Sequence, residues 1–400
     1  MKILEINKFN YLRRGAEKHY LDVIALLKSH SHQVAVFSMK HPNNIPSVWE
    51  KYFVSNVGFG EKDSVFSKLK GLFRIYSFEA KIKIRKLLDD FKPDVVHIHN
   101  IYHHISPSIL SEIKKRDIPI IMTVHDYNLV CPDYSLLCNG KKWNELNRNR
   151  SWYFLKNKCF KKSYIQSLLV LLEFKFNKLF GFYEKYVDKF IAPSGFVKNI
   201  LIGEGIDPEK IEIISHFISQ DFINNKLDTD KNIAERYAFY YGSISKEKNV
   251  DALIDIFKDE KNIKLYLAGN IEENFVLPKQ ENIKYLGFLS SQEIKNYINQ
   301  ALFTISLSKL PETFGLVALE SIALGKPFIA LDAGAYKEII EQGKTGFICK
   351  DLTEVKEKIS QIVSGKIVFD EKKIAQIAQE KFGQEKYYQK FMKIVKSLTK

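Results

Sequence analysis

The chain has 400 residues, 45% hydrophobic, 13% aromatic and 27% charged, with 19 Gly and 11 Pro. At roughly 150 residues per domain that makes two or three compact units and excludes a small module, a fibre or a disordered chain. Against 47 Asp and Glu stand 61 Lys and Arg, a net charge of +14, so the field favours an anionic partner: nucleic acid, phospholipid or a phosphorylated small molecule.

The first apolar run, in MKILEINKFNYLRRG, is broken by Glu5, Asn7 and Lys8, so it lacks the continuous apolar segment of a signal peptide. Short apolar runs predict strands over residues 2–7, 33–38, 94–100, 118–124 and 189–193. A helix is predicted over residues 16–29, with Tyr20, Val23, Ile24 and Leu27 on one face. The same rhythm restarts with strands over 239–242, 264–269, 284–286, 302–306 and 327–331, and a last basic, aromatic helix is expected over 384–398. Strands alternating with amphipathic helices read as α/β with parallel sheets, and the restart makes two Rossmann-like halves. The polar stretch QDFINNKLDTDKNIAER predicts a linker at 220–236. The expected division is therefore 1–219, the linker, 237–383, and a terminal helix at 384–400. No run reaches the eighteen or so apolar residues of a membrane span, so the chain reads as cytoplasmic, with any membrane attachment from the side.

The most informative stretch is SKLPETFGLVALESIALGKPFIAL, residues 308–331. A strand, a loop carrying Glu312, a helix starting near Thr313 or Phe314, and a stop at Gly325 and Pro327 follow from its composition. Free backbone N–H groups at Phe314, Gly315 and Leu316 are suited to holding a phosphate at the positive end of a helix. Glu312 and Glu320 bracket that turn. Eight helical residues rise about 12 Å, whereas a retaining hydrolase holds its carboxylates roughly 5 Å apart, so the two are not an acid–nucleophile pair. They either hold two ends of one extended ligand or are merely solvated helix charges.

The string ETFGLVALE, followed by ALGKPFIA and Gly343–Phe347 (GKTGF), resembles the donor half of the retaining GT-B glycosyltransferases of family four. Arg14-Gly15-Ala16-Glu17 is similar to that family's GGAE turn, His32 to Val36 (HQVAV) to its H-x-V-x-V strand, and Gly242 to Lys248 to its G-R-L-x-x-x-K segment. FKPDVVHIHNIYHHISPSIL and PIIMTVHDYNLVCPDYSLL resemble members that build bacterial surface polysaccharide, capsule included. The resemblance implies two Rossmann-like domains facing across a cleft, with the C-terminal helix returning to the first. It also implies transfer from a nucleotide diphosphate sugar, by default a UDP-sugar, to a hydroxyl of a glycan or lipid-linked glycan, with retention and without a metal. Residue by residue, it places Gly15, Gly242 and Lys248 at the donor phosphates with the helix start at Phe314, Gly315 and Leu316. Glu312 falls at the transferred sugar, Glu320 at the ribose, Phe288 and Leu289 at the base edge, and His125 beside the anomeric centre.

Three positions depart from the pattern. Ser243 replaces the arginine after the glycine that opens the second domain, Arg14 replaces the first glycine of the turn, and the asparagine before the linker is replaced near His216. Arg14, or failing that Lys246, is the expected compensating phosphate cation. A sugar-nucleotide epimerase on the same architecture is the alternative, favoured less by the glutamate spacing and the His125-Asp126 loop.

His97, His99, His103 and His104 fall together, with His97 and His99 on one strand face; with no carboxylate or cysteine spacing to complete a metal site, they read as lining the cleft. Cys131, Cys138, Cys159 and Cys349 form no CxxC pair or zinc spacing and read as ordinary thiols in a reducing compartment. Residues 141–189 hold twelve Lys and Arg against four acids, interleaved with aromatics and leucines. That mixture suits either an anionic bilayer surface or a packed helix with a basic rim. No zinc finger, RNP-type strand or basic recognition helix is present, so nucleic acid is not an expected partner.

Overall fold

The computed structural model describes residues 1–56, 75–146, 149–224, 235–273 and 275–399. They fall into two compact units, Met1–Ile214 with Tyr388–Lys400, and Ser215–Tyr387. The first unit thus closes before the predicted linker. Of that linker, Gln220–Asn224 is a short helix, and residues 225–234 lie outside the described residues.

The first unit is built on six parallel strands in the order β2-β1-β3-β4-β7-β8. These are β1 (Lys2–Ile6), β2 (Gln33–Phe37), β3 (Val95–Ile98), β4 (Ile120–Thr123), β7 (Lys189–Ala192) and β8 (Ile211–Ile213). Between β4 and β7 lies a separate antiparallel hairpin of β5 (Leu137–Cys138) and β6 (Lys141–Lys142). The predicted strands are all present, each trimmed by a residue or more at an end. The central ones are short Ile- and Val-rich runs, VVHI and IIMT, buried on both faces as a helix-covered parallel sheet requires. β8 was not predicted, because only Ile211 of its three residues is buried.

The second unit repeats the plan in the order β11-β10-β9-β12-β13-β14. Its strands are β9 (Tyr237–Tyr241), β10 (Lys264–Ala268), β11 (Ile283–Tyr285), β12 (Phe303–Ser306), β13 (Phe328–Leu331) and β14 (Gly346–Cys349). β14 is the strand that sequence patterning missed: GFIC is a four-residue run whose opening glycine reads as a turn. Gly346 is needed there, since its φ is +151° and a Cβ would overlap the backbone of Phe328 in β13.

The terminal helix Gln384–Leu398 joins the first unit from Tyr388 onward. The Tyr388 ring stacks on His30 with centroids 3.6 Å apart and its hydroxyl bonds His32 Nε2 at 2.9 Å. Phe391, fully buried, packs on the His97 ring.

One expectation is overturned outright. Cys138 and Cys159 are bonded as a disulfide, their Cα atoms 5.2 Å apart, whereas the sequence predicted thiols. The hairpin and the chain following the helix Arg150–Lys156 fold back on each other and bring together residues 21 apart in sequence. Cys131 and Cys349 are free and buried. The pairing removes the cysteine argument for a reducing compartment.

Candidate active site

In open α/β sheets, ligands bind at the carboxyl ends of strands where the strand order reverses. In the second unit that point lies between β9 and β12, and Lys248, Glu312, Glu320 and the helix start at Leu316, four parts of the predicted donor set, lie about it. β9 runs into Gly242, whose φ is +145°, and a Cβ on Gly269 at the end of β10 would overlap the Gly242 carbonyl, so this turn is closed by two glycines. The Tyr240 hydroxyl donates to the Ser243 carbonyl at 2.6 Å. Beyond this turn Lys248 reaches Glu312, its Nζ 2.5 Å from Oε1. Glu312 is held through its backbone: its carbonyl accepts from Ala335 N at 2.9 Å, and Gly334, with φ +65°, packs where any Cβ would strike it.

The phosphate-suited helix spans Leu316–Ala323, beginning later than predicted because Gly315, at φ +102°, is the N-cap. A Cβ there would come within 2.6 Å of Tyr336 Cε1. The first-turn amides are therefore those of Leu316 and Val317, while Ala318 N already bonds Gly315 O at 3.0 Å. Phe314 precedes the helix and is buried, its ring edge-on to His216 and Phe382. Glu312 lies in the loop and Glu320 on the helix, so the helical rise inferred from sequence does not set their separation.

Glu320 is not a solvated helix charge. It is 7% exposed, and the Tyr241 hydroxyl lies 2.9 Å from its Oε2 and 2.8 Å from Val317 O. Burial, then the Glu320 charge and hydrogen bond, push the Tyr241 phenol well above its ordinary range, so it remains a donor. Tyr241 was not predicted; the clue was a run of aromatics, YAFYY, leading directly into the Gly242 turn. Phe288 is exposed and Leu289 buried, in the loop after β11 that Gly269 N ties down by bonding Gly287 O at 2.8 Å.

In the first unit the strand order reverses between β1 and β3. Arg14, exposed and in extended backbone, is the N-cap of the helix Gly15–Ser29, so its side chain brings no backbone strain to the turn. Beyond the end of β4 lies His125, 9% exposed, with Nε2 2.7 Å from His99 Nδ1. His99 Nε2 is 2.9 Å from Glu5 Oε2, Glu5 Oε1 is 3.0 Å from His97 Nδ1, and His97 Nε2 is 2.8 Å from Thr123 Oγ1.

The carboxylate that sequence spacing did not supply is thus Glu5, paired in register with His97 across β1 and β3. Glu5, His97 and His99 have ligand atoms within 4.8 Å of one another, a set able to hold a metal. Burial alone would raise the Glu5 carboxyl, but the interaction with His97 and the two ring hydrogen bonds outweigh it and hold it at about 2. Burial, reinforced by His97, pushes His99 down to about 4 against the pull of Glu5. His103 is not part of the cluster: it turns to Glu173, 2.6 Å away.

Family comparison accounts for nearly the whole chain. The model of Glycosyltransferase Family 4 matches residues 13–222 and that of Glycosyl transferases group 1 matches residues 221–383. The chain belongs to glycosyltransferase family 4. An uncharacterized 42.6 kDa protein of the cps region of Klebsiella pneumoniae is 24% identical over 89% of this chain and 91% of its own length. The capsular polysaccharide biosynthesis glycosyltransferase CapM of Staphylococcus aureus is 28% identical over 44% of this chain and 52% of its own. In fold, the chain is similar to HepE of Anabaena solved with UDP-glucose, at TM-score 0.63 and 17% identity over 99% of this chain and 100% of that one. A glycosyltransferase from Rickettsia africae gives TM-score 0.66 at 18% identity, over 100% of this chain and 98% of the other. The fold of this glycosyltransferase is GT-B.

The basic segment divides in two. Trp143, Phe154 and Leu171 are buried in the core of the first unit. On the helix Tyr164–Phe180, Ile165, Leu168, Leu172 and Leu179 are exposed at helical spacing, with the exposed Lys175 on the same side. Among the described residues, no helix is long and apolar enough to cross a membrane.

Proposed function

We propose that this glycosyltransferase moves a sugar from a nucleotide diphosphate sugar, first of all a UDP-sugar, to a hydroxyl of a glycan or lipid-linked glycan in surface polysaccharide synthesis, with retention. The observation that carries it is the convergence of Lys248, Glu312 and the Leu316 helix start at the β9/β12 reversal, with Glu320 fixed by Tyr241. Donor binding exchanges the Lys248–Glu312 pair for a Lys248–phosphate contact and a Glu312–sugar contact. Lys248 and the first-turn amides then stabilise the leaving diphosphate, which makes a metal dispensable. The bond from the anomeric carbon to phosphate breaks, the acceptor oxygen bonds the same face, and its proton passes to the departing phosphate. His125 orients the hydroxyl. The family match favours transfer over epimerisation, and the cps-region and CapM relatives support a polysaccharide product. Arg14 is the proposed substitute for the cation lost at Ser243; unchanged donor affinity in Arg14→Ala removes it from that role.

We also assign the Ile165–Leu179 stripe to an anionic membrane surface, where a lipid-linked acceptor resides. The test of the site is sugar transfer from a panel of UDP-, GDP- and dTDP-sugars to lipid-linked glycan extracts. Lys248→Ala and Glu312→Ala lower turnover sharply, while Glu320→Ala acts mainly through donor affinity. Equal activity of all three variants and the parent refutes the site.

A further inference from the structure

We propose that Glu5, His97 and His99 are positioning residues that orient His125 and fix its proton on Nε2, so that the sheet sets the tautomer His125 brings to the reaction. This rests on the transferase reading above. A charged residue in the middle of a parallel sheet is costly unless fully paired, and here Glu5, His97, His99 and Thr123 all have no solvent exposure. The hydrogen bonds that run from Glu5 through a neutral His99 to His125 admit one assignment. A carboxylate only accepts, so His97 donates from Nδ1 and His99 from Nε2 to the two Glu5 oxygens. His97 Nε2 and Thr123 Oγ1 are bonded at 2.8 Å, and His99, which burial keeps neutral, accepts at Nδ1 from His125 Nε2. The path from Glu5 through His99 therefore puts the His125 proton on Nε2.

Packing holds the rings as well as the protons. The His99 and His125 rings are stacked, 5.0 Å between centroids and 16° between planes. The His19 ring lies 5.5 Å from His125 and 6.2 Å from His99, and the Tyr20 ring, its hydroxyl bonded to Asn10, lies 5.2 Å from His99. Phe391 of the terminal helix covers His97 at 4.9 Å. All four ring nitrogens of His97 and His99 are satisfied by protein partners, so a metal among them has to break both bonds to Glu5. That favours the relay over a metal centre.

The test is long-range 1H–15N correlation on the full chain labelled with [15N]histidine, the His125 signals being identified by their loss in His125→Asn. In the parent protein His125 is expected as the Nε2–H tautomer. In Glu5→Gln and His99→Gln it becomes a mixture, and turnover falls about tenfold or more with donor dissociation constant unchanged within about twofold. A parent His125 protonated at Nδ1 overturns the proposal without needing any variant to fold. So does an unchanged tautomer in a folded Glu5→Gln protein, or equal losses in donor affinity and turnover. A zinc-dependent rise in melting temperature that Glu5→Gln abolishes also overturns it, in favour of a metal site. If the parent binds no nucleotide sugar yet shows the fixed tautomer, the transferase reading fails and the relay stands.

Discussion

His99 gives the sharpest stability prediction, because its ring is wholly buried and neutral. The folded chain protonates it at about 4, the unfolded chain at the ordinary 6.5. Between these values the unfolded state binds a proton that the folded state refuses, so stability falls as pH falls from 6.5 towards 4 and this contribution flattens below. A gap of about 2.5 pH units at about 1.4 kcal/mol each gives an upper figure of about 3 kcal/mol. Glu5, facing His99 from β1, is held at about 2 from an ordinary 4.5, so its own loss comes mainly at lower pH. The three tryptophans, Trp49, Trp143 and Trp152, all lie in the first unit, so their fluorescence in urea reports that unit's unfolding. The stability advantage of the parent over His99→Gln is expected to shrink by up to about 3 kcal/mol from about pH 7.5 to about pH 4. An advantage that stays constant over that range refutes the buried neutral ring.

Other substitutions probe the second unit and the surface. Tyr241→Phe removes the hydroxyl that meets Glu320 and costs about 1–3 kcal/mol; calorimetry should show that loss with weaker donor binding, and unchanged values for both would dismiss the Tyr241 anchor. Gly315→Ala forces a side chain into a left-handed N-cap and onto Tyr336, costing at least about 1–2 kcal/mol and weakening phosphate binding; a variant as stable as the parent argues against that backbone. Sedimentation with vesicles should show binding to anionic but not neutral lipid, lost in a Leu172→Glu and Leu179→Glu double variant. No preference for the anionic vesicles removes the membrane assignment.

The sheets were legible in the sequence because each buried strand is a short apolar run with turn residues at its ends. β8 and β14 escaped because one is mostly exposed and the other opens on glycine. Motif matching singled out Lys248, Glu312 and Glu320 as candidates, but not what holds them: the partners Tyr241, Gly334 and Ala335 are separated from the glutamates by many residues, and sequence spacing carries no record of that. Glu5 was visible and read only as a break in an apolar run. In a strand covered on both faces, that break signals a buried charge that needs partners, and His97 stands beside it in the β1/β3 register. The cysteine reading failed for the same reason, since only folding brings Cys138 to Cys159.

The central claim, a nucleotide-sugar donor site in the second unit, is tested most directly by melting the protein with UDP, GDP and ADP, each with and without magnesium. A ligand that binds only the folded state stabilises it by about 2.7 kcal/mol at a hundredfold excess over its dissociation constant. The account predicts a rise with one nucleotide, UDP first, equal with and without magnesium and diminished in Glu320→Ala. No rise with any of the three nucleotides contradicts it.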